Sequence, residues 1–315
     1  MVNPKLSIII ITKDTKDLLE NLFHSIKKDY SLKELPTEII IIDNNSHDGT
    51  EEMIKIFFPE IIYTKNEKNL GFATSANKGF FNSKGDYILF LNSDTLILPD
   101  EIVKMVNFME ENKMVGICAP QLLYEDMGLQ RSFAYIPKLI FEIVPKSFLE
   151  LILPKRYKGK KSRFETPQDV ESLIGAAFMV RRKVFEELGG FDERFFFFLE
   201  ETDFCVRARR TGFRVVFFPA AKIVHLQGKT ISKTWVKGRI EYNISLYKFI
   251  KKHHSLFYFY IFVIIRFIKS FIITVLLSIF PFLLINKHIR RNLKYYSSIF
   301  TWHLRGCQDS EGLKS

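Results

Sequence analysis

The chain has 315 residues and carries 46 Lys and Arg against 35 Asp and Glu, for a net charge of +11. A composition of 47% hydrophobic and 26% charged residues excludes a largely disordered chain and indicates one large domain with an appendage, or two modest domains. The cysteines Cys118, Cys205 and Cys307 have neither a metal-binding spacing nor a paired framework, which suits a reducing compartment.

Short apolar runs alternate with amphipathic stretches over the first 120 residues. In chain order they predict a strand at Leu6–Ile11, a helix through Leu18 and Ile26, a strand at Glu38–Ile42, a helix at Thr50–Phe58, a helix from about Ala73 and a strand at Tyr87–Leu91. Ile-rich strands bounded by helices indicate an α/β fold, with a mostly parallel sheet flanked by helices on both faces.

The rhythm breaks between residues 121 and 170, where prolines and a basic cluster (residues 155–163) indicate irregular connections with short helices. Regular structure is predicted to resume with Ser172–Val180, helices at Arg182–Leu188 and Glu200–Thr211, and strands at Phe213–Phe218 and Lys222–His225. Ligands of parallel sheets bind beyond the carboxyl ends of the strands, so the residues that follow each strand are the candidate site.

The second strand ends at Asp43 and continues through Asn45 and Asp48 into a helix. A carboxylate there can accept a hydrogen bond from the imide N–H of a base, and Asp48 can cap the helix. A plain turn with a helix cap is the alternative. Further along, Asn69–Gly79 contains Gly71, which permits close backbone approach before a helix.

Two further segments carry acidic or imidazole groups. Asp94 lies just beyond the apolar strand and can bind a divalent ion that bridges a diphosphate, although a solvated acid at a strand end would look the same. His225 ends a short apolar strand, where it is either a metal ligand or a structural histidine.

Glu200, Glu201 and Asp203 follow four consecutive Phe residues at the start of a predicted helix. Three carboxylates beside an apolar wall suit a general base, because an apolar environment tends to raise the pKa of a carboxyl group. Their alternative role is to interact favourably with the positive end of the helix dipole.

The order and spacing of these motifs resemble the family 2 glycosyltransferases, which have the GT-A fold, and in particular their bacterial rhamnosyltransferase-like branch. The resemblance extends from about Leu6 to His254. The segments that carry it are Ser7–Thr12, Asp43–Gly49, Asn69–Gly79, Leu91–Asp94, Gly175–Gly190 and Phe191–Leu226.

This resemblance implies a role for each matching residue. Asp43 would read a uracil or thymine base, and the rest of the nucleotide would contact Thr12, Asn45, Asn69, Gly71, Asn77, Asn92 and Ser93. Asp94 and His225 would hold Mg²⁺ or Mn²⁺. Glu201 would be the general base, with Glu200 and Asp203 beside it.

The sequence departs from the family pattern at three of these positions. Asn92 replaces the first acid of the metal-binding DxD motif, Glu201 stands where Asp is usual, and Thr12-Lys13-Asp14 replaces a frequent Asn-Tyr-Asn. Asp94 would therefore carry more of the metal binding, Glu201 would reach one methylene further, and stacking on the base is in doubt.

The implied reaction is inverting transfer of a sugar, possibly rhamnose, from a dTDP- or UDP-sugar to a hydroxyl of a glycan or lipid-linked acceptor in cell-surface polysaccharide or glycolipid synthesis. Two alternatives stay open. A sugar-nucleotide pyrophosphorylase would need a Gly-rich loop after the first strand, whereas residues 12–17 contain no Gly. A non-catalytic membrane-associated scaffold would carry a degenerate site.

The C-terminal region has two apolar runs, Leu256–Ile265 and Ser270–Ile285, separated by Arg266 and Lys269. Basic residues lie before them at 251–254 and after them at 287–294. Such bracketing favours an anionic membrane surface over nucleic acid as the partner. We therefore expect a catalytic domain over 1–240 and, over 241–315, interfacial or re-entrant helices. With no signal peptide at Met1, the expected location is the cytoplasmic face of a bacterial inner membrane.

Overall fold

The structure is a computed structural model that describes residues 3–154, 156–157, 163–226, 235–279 and 286–314. These residues form two compact units. The first takes the described residues within 1–136, 158–193 and 200–230, and the second takes those within 137–157, 194–199 and 231–315. The second unit therefore gathers two internal segments together with the C-terminal region.

The strands, all in the first unit, are β1 (Leu6–Thr12), β2 (Thr37–Asp43), β3 (Ile62–Lys65), β4 (Tyr87–Asn92), β5 (Thr95–Ile97), β6 (Val115–Leu123), β7 (Phe133–Ala134), β8 (Gln168–Asp169), β9 (Ser172–Leu173), β10 (Ala177–Arg181) and β11 (Arg214–His225). The main sheet has the order β3-β2-β1-β4-β10-β6-β11-β5, with β8 paired to β11, while β7 pairs with β9. The first four strands of this order are parallel, and β10 is antiparallel to both of its neighbours.

The helices are α1 (Lys16–Lys28), α2 (Tyr30–Glu34), α3 (Thr50–Phe57), α4 (Phe72–Phe81), α5 (Glu101–Glu111), α6 (Ile140–Ile143), α7 (Lys146–Ile152), α8 (Arg182–Glu187), α9 (Glu200–Arg210), α10 (Trp235–His253), α11 (Leu256–Ile279) and α12 (Lys287–Leu304). A short 3₁₀ helix follows at Asp309–Glu311. Helices α6, α7 and α10 to α12 belong to the second unit.

Alternate residues of β1 enter two separate apolar cores. Leu6, Ile8 and Ile10 pack in the core that also holds the buried residues of α1, α3 and α5. Ile9 packs in the other, with residues of α4, α8 and α9, and Gly79 lets α4 come close, because a Cβ there would collide with Ile9. Since successive strand residues point to opposite faces, the sheet is covered on both sides, and the predicted α/β fold is confirmed.

The connections after residue 121 differ from the sequence expectation. The stretch predicted as regular from Ser172 to Val180 is two strands, β9 and β10, and the two strands predicted near residue 220 are one, β11. The register of β11 against β6 shifts between Phe218 and Lys222, where Pro219 has no N–H to donate to the ladder. In the sequence, Pro219 separates the two apolar runs that were predicted to be two strands.

The second unit contains the apolar tail. Helix α11 continues through Arg266 and Lys269, which were expected to separate two runs, and it ends at Ile279. With a mean hydropathy of 2.3, it is the helix among the described residues that is long and apolar enough to cross a membrane. The rest of the second predicted run, residues 280–285, and much of the basic cluster at 155–163 lie outside the described residues.

Candidate functional site

Three predicted site residues lie at the ends of adjacent parallel strands. Thr12 ends β1 and is in register with Asp43, which ends β2, while Ile11 of β1 is in register with Asn92, which ends β4. Because parallel strands share a direction, their carboxyl ends meet at one edge of the sheet. The structure thus brings Thr12, Asp43 and Asn92 together.

Asp43 is fully buried and held by two donors. Its Oδ1 accepts from the backbone N–H of Ser46 (2.8 Å) and its Oδ2 from the hydroxyl of Tyr63 (2.6 Å). Burial, together with this bond to the carboxylate, raises the pKa of Tyr63, so the phenol keeps its proton and remains the donor. Tyr63 was missed from the sequence, although it lies on β3, the strand paired with β2.

A chain of buried hydroxyl groups joins β1 to the segment after β4. The hydroxyls of Thr12 and Thr15 are 2.7 Å apart, and Thr15 donates to Ser93 Oγ at 3.0 Å. Two predicted nucleotide-binding residues, Thr12 and Ser93, are thereby connected through Thr15, which the sequence patterns did not reveal. The connection fixes the start of the segment that carries Asp94.

Asn44, which was also missed, organises the loop around Gly71. Its Oδ1 accepts from Asn66 Nδ2 (2.9 Å), the N–H of Leu70 (3.2 Å) and Ser75 Oγ (2.8 Å), and its Nδ2 donates to the carbonyl of Gly71 (3.2 Å). Gly71 has φ +81° at the start of α4, a backbone conformation that favours glycine. Asn44 therefore holds the amino end of α4 beside the carboxyl end of β2.

Asn45 and Asn69 lie in the same two loops. Asn45 has φ +66°, and its carbonyl accepts from Lys13 Nζ at 3.3 Å. Asn69 Oδ1 accepts from the N–H of Gly71 at 3.0 Å. Asp48, as expected, accepts from the N–H of Thr50, the first residue of α3, at 3.2 Å.

Asn77 makes a different set of contacts. Its Nδ2 donates to the carbonyl of Phe191 (2.9 Å) and to Glu193 Oε1 (3.0 Å), and its Oδ1 accepts from the N–H of Phe191 (2.9 Å). Gly190 has φ +75°, and a Cβ there would lie 2.7 Å from Asn77 Oδ1. The amide of Asn77 is therefore engaged in anchoring the backbone at residues 190–193 to α4.

Asp94 and His225 form a buried pair. Thr95 of β5 is in antiparallel register with His225 of β11, and the N–H of Leu226 donates to the carbonyl of Asp94 at 2.8 Å. The distance from His225 Nε2 to Asp94 Oδ1 is 3.3 Å. The strand pairing thus brings together the two residues that the sequence predicted to be metal ligands.

Gln130, a buried residue missed from the sequence, sets the proton on this histidine. Its Nε2 donates to the carbonyl of His225 at 3.2 Å, so its Oε1 is the atom 2.7 Å from His225 Nδ1. An amide oxygen only accepts, so Nδ1 carries the proton. In neutral His225 the lone pair of Nε2 then faces a carboxylate oxygen, an arrangement that a cation bound to both atoms would stabilise.

The pair has the chemistry of half a divalent-metal site. Neighbouring ligands of an octahedral ion at about 2.1 Å lie about 3 Å apart, close to the 3.3 Å between Asp94 Oδ1 and His225 Nε2. Within the described residues, no group of three or more His, Cys, Asp or Glu side chains could hold an ion by itself. Mg²⁺ is commonly bound by one or two carboxylates together with substrate phosphates, so Asp94, with His225 beside it, fits an ion that arrives with a diphosphate.

A pocket of about 380 Å³ opens beside the pair of Asp94 and His225. It is lined by Tyr124, Glu125, Asp126, His225 and Leu226. The first three residues belong to a turn in which the N–H of Tyr124 donates to the carbonyl of Gly128 at 2.8 Å. The turn lies in the stretch predicted as irregular, where periodicity gave no signal for a site.

Among the predicted base residues, Glu201 has a neighbour that connects it to the strand ends. A Cβ on Gly175 would lie 3.6 Å from Glu201 Cγ, so the two residues are in contact distance. The next residue, Ala176, accepts through its carbonyl from the N–H of Asn92 at 3.0 Å. The half-buried side chain of Glu201 therefore lies at the edge of the sheet that carries Asn92.

Asp203 is fully buried and forms an ion pair with Arg207, with 2.8 Å between Asp203 Oδ2 and Nε. Arg207 also donates to the carbonyls of Leu188 (2.6 Å) and Gly190 (2.7 Å). Through Arg207, Asp203 thus anchors α9 to the preceding loop, which favours a structural role for Asp203 over a role as a base beside Glu201. Glu200, the first residue of α9, is also buried.

Comparison with known proteins shows which family models match this chain. A family model described as "Glycosyl transferase family 2" matches residues 7–189, and one described as "N-terminal domain of galactosyltransferase" matches residues 156–229. An "N-acetylglucosaminyl-diphospho-decaprenol L-rhamnosyltransferase" of Mycobacterium tuberculosis is 24% identical over 241 residues, which are 70% of this chain and 77% of the relative.

Two solved structures share the fold. The mannosyltransferase PcManGT from Pyrobaculum calidifontis, in complex with GDP-Man and Mn²⁺, superposes with a TM-score of 0.58 at 14% identity, covering 98% of this chain and 88% of that one. GalNAc-T7 with UDP, GalNAc and Mn²⁺ gives 0.57 at 17% identity and covers 79% of this chain. This chain spans about half (48%) of GalNAc-T7. The predicted GT-A architecture is confirmed.

The contacts of Asp203 and Glu201 predict effects of different size on the free energy of unfolding. Asp203→Asn removes the charge that faces Arg207 and should lower the free energy of unfolding by about 2–4 kcal/mol. Glu201→Gln should change it by less than about 1 kcal/mol. Urea denaturation of both variants measures the difference. Equal stability of Asp203→Asn and the wild type would contradict the structural role of the ion pair.

Proposed function

Because this chain belongs to glycosyl transferase family 2, we propose that it transfers a sugar from a nucleoside-diphosphate sugar to an acceptor hydroxyl, with inversion at the anomeric carbon. The observation that carries the proposal is the buried pair of Asp94 and His225, 3.3 Å apart. A two-ligand site of this kind calls for a phosphate-bearing substrate to complete it. The pyrophosphorylase alternative is set aside by the family membership.

The proposed donor is a dTDP- or UDP-sugar. Asp43 is the residue we propose to accept from the imide N–H of the pyrimidine, since its carboxylate oxygens can each accept a second bond. Thr12, Asn45, Asn69, Gly71, Asn92 and Ser93 would surround the rest of the nucleotide, with Asn77 acting through its anchoring of residues 190–193. The name of the mycobacterial relative favours rhamnose as the sugar.

In the proposed reaction Glu201 takes the proton of the acceptor hydroxyl while the oxygen attacks the anomeric carbon. The bond from that carbon to the diphosphate oxygen breaks in the same displacement, and its electron pair leaves with the nucleoside diphosphate. Mg²⁺ or Mn²⁺ held by Asp94 and His225 would stabilise the negative charge of that leaving group as a Lewis acid. Gln130 keeps the Nε2 lone pair of His225 directed toward Asp94.

The acceptor is proposed to be a glycan or a lipid-linked sugar at the cytoplasmic face of a bacterial inner membrane. Two observations support a membrane location: α11 is long and apolar, and the name of the mycobacterial relative includes a diphospho-decaprenol. In this proposal residues 1–240 catalyse the reaction and residues 241–315 hold the enzyme at the lipid surface.

Nucleotide binding should depend on the metal. UDP or dTDP with Mn²⁺ is expected to raise the unfolding temperature, because a ligand that binds only the folded state stabilises it by mass action. GDP should have less effect, and Asp94→Ala should abolish the metal-dependent part. The measurement is thermal unfolding with each nucleotide, with and without Mn²⁺. A folded protein that no nucleotide stabilises would instead favour a degenerate scaffold.

Glu201→Gln should reduce turnover by about 10²–10⁴-fold, the usual contribution of a positioned base, and leave the nucleotide-dependent thermal shift unchanged. Release of nucleoside diphosphate in the presence of donor and acceptor measures turnover. Full activity in this variant would remove Glu201 from the mechanism and make Glu200 the next residue to test.

Gln130→Leu should raise the Mn²⁺ concentration needed for half of the nucleotide-dependent shift by about 10–100-fold, because loss of a hydrogen-bond partner to a ligating histidine typically has that effect on metal affinity. Gln168→Leu, at a half-buried position of β8, is the matched control and should leave this concentration unchanged. Equal Mn²⁺ dependence of the two variants would contradict the role assigned to Gln130.

A further inference from the structure

Helix α11 has two contrasting faces within the second unit. Phe262, Arg266 and Ser270 are its buried residues and recur at the spacing of one helix face. The opposite face is exposed and mostly apolar, formed by Phe257, Tyr260, Ile264, Ile268, Phe271, Ile272, Val275, Leu276 and Ile279, with Ser278 near its end. The helix therefore packs along one side and presents a continuous apolar stripe on the other.

The charged residues of α11 are neutralised by an internal segment of the chain. Glu142, in α6, forms ion pairs with Arg266 (2.6 Å) and Lys269 (3.3 Å), and its carbonyl accepts from Lys269 Nζ at 2.8 Å. Arg266 also donates to the side chain of Asn243 in α10. Paired in this way, the two cations cost less to keep in an apolar environment than they would alone.

The segment that supplies Glu142, residues 137–157, is docked on α11 at a second point. The N–H of Leu139 donates to the hydroxyl of Tyr258 at 2.7 Å. Beyond α6, the short helix α7 buries only Leu149. Its apolar residues Phe148, Leu151 and Ile152 are 51–74% exposed. Exposed apolar side chains grouped in this way mark an interaction surface.

We propose that residues 137–157 are a second membrane-contacting element, attached to α11 through Glu142, and that the two together form an apolar surface that binds an anionic bilayer. Basic side chains of the same unit favour lipid as the occupant. Lys146 and Arg156 are exposed on the segment, and Lys287, Arg290, Arg291 and Lys294 are exposed on α12. Apolar residues accompanied by Lys and Arg combine the two attractions that hold a protein at an anionic lipid surface.

This inference extends the membrane location proposed above and rests on it. Its test measures binding without glycosyl transfer, so that failure of the surface and failure of the reaction are distinguishable. The experiment is flotation of the full chain with vesicles of phosphatidylcholine, either alone or with about a third phosphatidylglycerol. Wild type should bind the anionic vesicles more strongly, because Lys and Arg add attraction to anionic lipid.

The triple variant Phe148→Ser, Leu151→Ser, Ile152→Ser should reduce the partition coefficient at least about tenfold, since each side chain loses apolar area that the bilayer would cover. The matched control is Ile56→Ser, Phe57→Ser, Phe81→Ser, at positions 61–88% exposed in the first unit, and it should change binding less than about twofold. Equal binding of the α7 variant and the control would overturn the proposal. So would a folded wild type that binds neither vesicle, which would point to a protein partner.

The attachment of residues 137–157 to α11 through Glu142 can be tested separately by limited proteolysis. Glu142→Gln should speed trypsin cleavage after Lys146 in the absence of vesicles, because the segment loses its ion pairs to Arg266 and Lys269. Glu150→Gln, which lies in the same segment and leaves the ion pairs of Glu142 in place, is the control and should be cleaved more slowly than Glu142→Gln. Unchanged cleavage in Glu142→Gln would show that the ion pairs do not hold the segment on α11.

Discussion

The parallel pairing of β1 with β2 and β4 decides where the polar residues of the site lie. The register pairs Thr12 with Asp43 and Ile11 with Asn92, so that side chains from three strands arrive at one edge. A shift of one residue would reverse which face each side chain occupies, and the two apolar cores on either side of the sheet resist it. The Asn44 bonds and the Thr12–Thr15–Ser93 chain both extend from this edge.

The contacts of His225, at the end of β11, show how the fold orients a buried histidine. Burying polar groups is unfavourable unless each has a partner. Gln130 satisfies His225 Nδ1 at 2.7 Å and leaves Nε2 directed toward Asp94 Oδ1, at 3.3 Å. This arrangement is the basis of the proposal that Asp94 and His225 bind a divalent ion together with a diphosphate.

The second unit is subject to a different constraint. Helix α11 has a mean hydropathy of 2.3 and still contains the charged residues Arg266 and Lys269. Both cations lie on the packed side of α11 and form ion pairs with Glu142. The opposite side then carries mostly apolar residues and no charged one. The same ion pairs tie residues 137–157 to the helix, and this segment is therefore part of the surface that the tail presents.

Much of the first unit could be predicted from the sequence. Strand ends, helix faces and the motifs at Asp43, Asp94, Glu201 and His225 are local features, because periodicity and turn chemistry are encoded over a few residues. The relationships between distant side chains were decided by the tertiary structure. Gln130 reaches His225 across 95 positions and Lys269 reaches Glu142 across 127, and both partners lie between residues 121 and 170, where the sequence has no periodicity. Such contacts depend on strand register and on how segments dock, and neither can be predicted from the spacing of neighbouring residues.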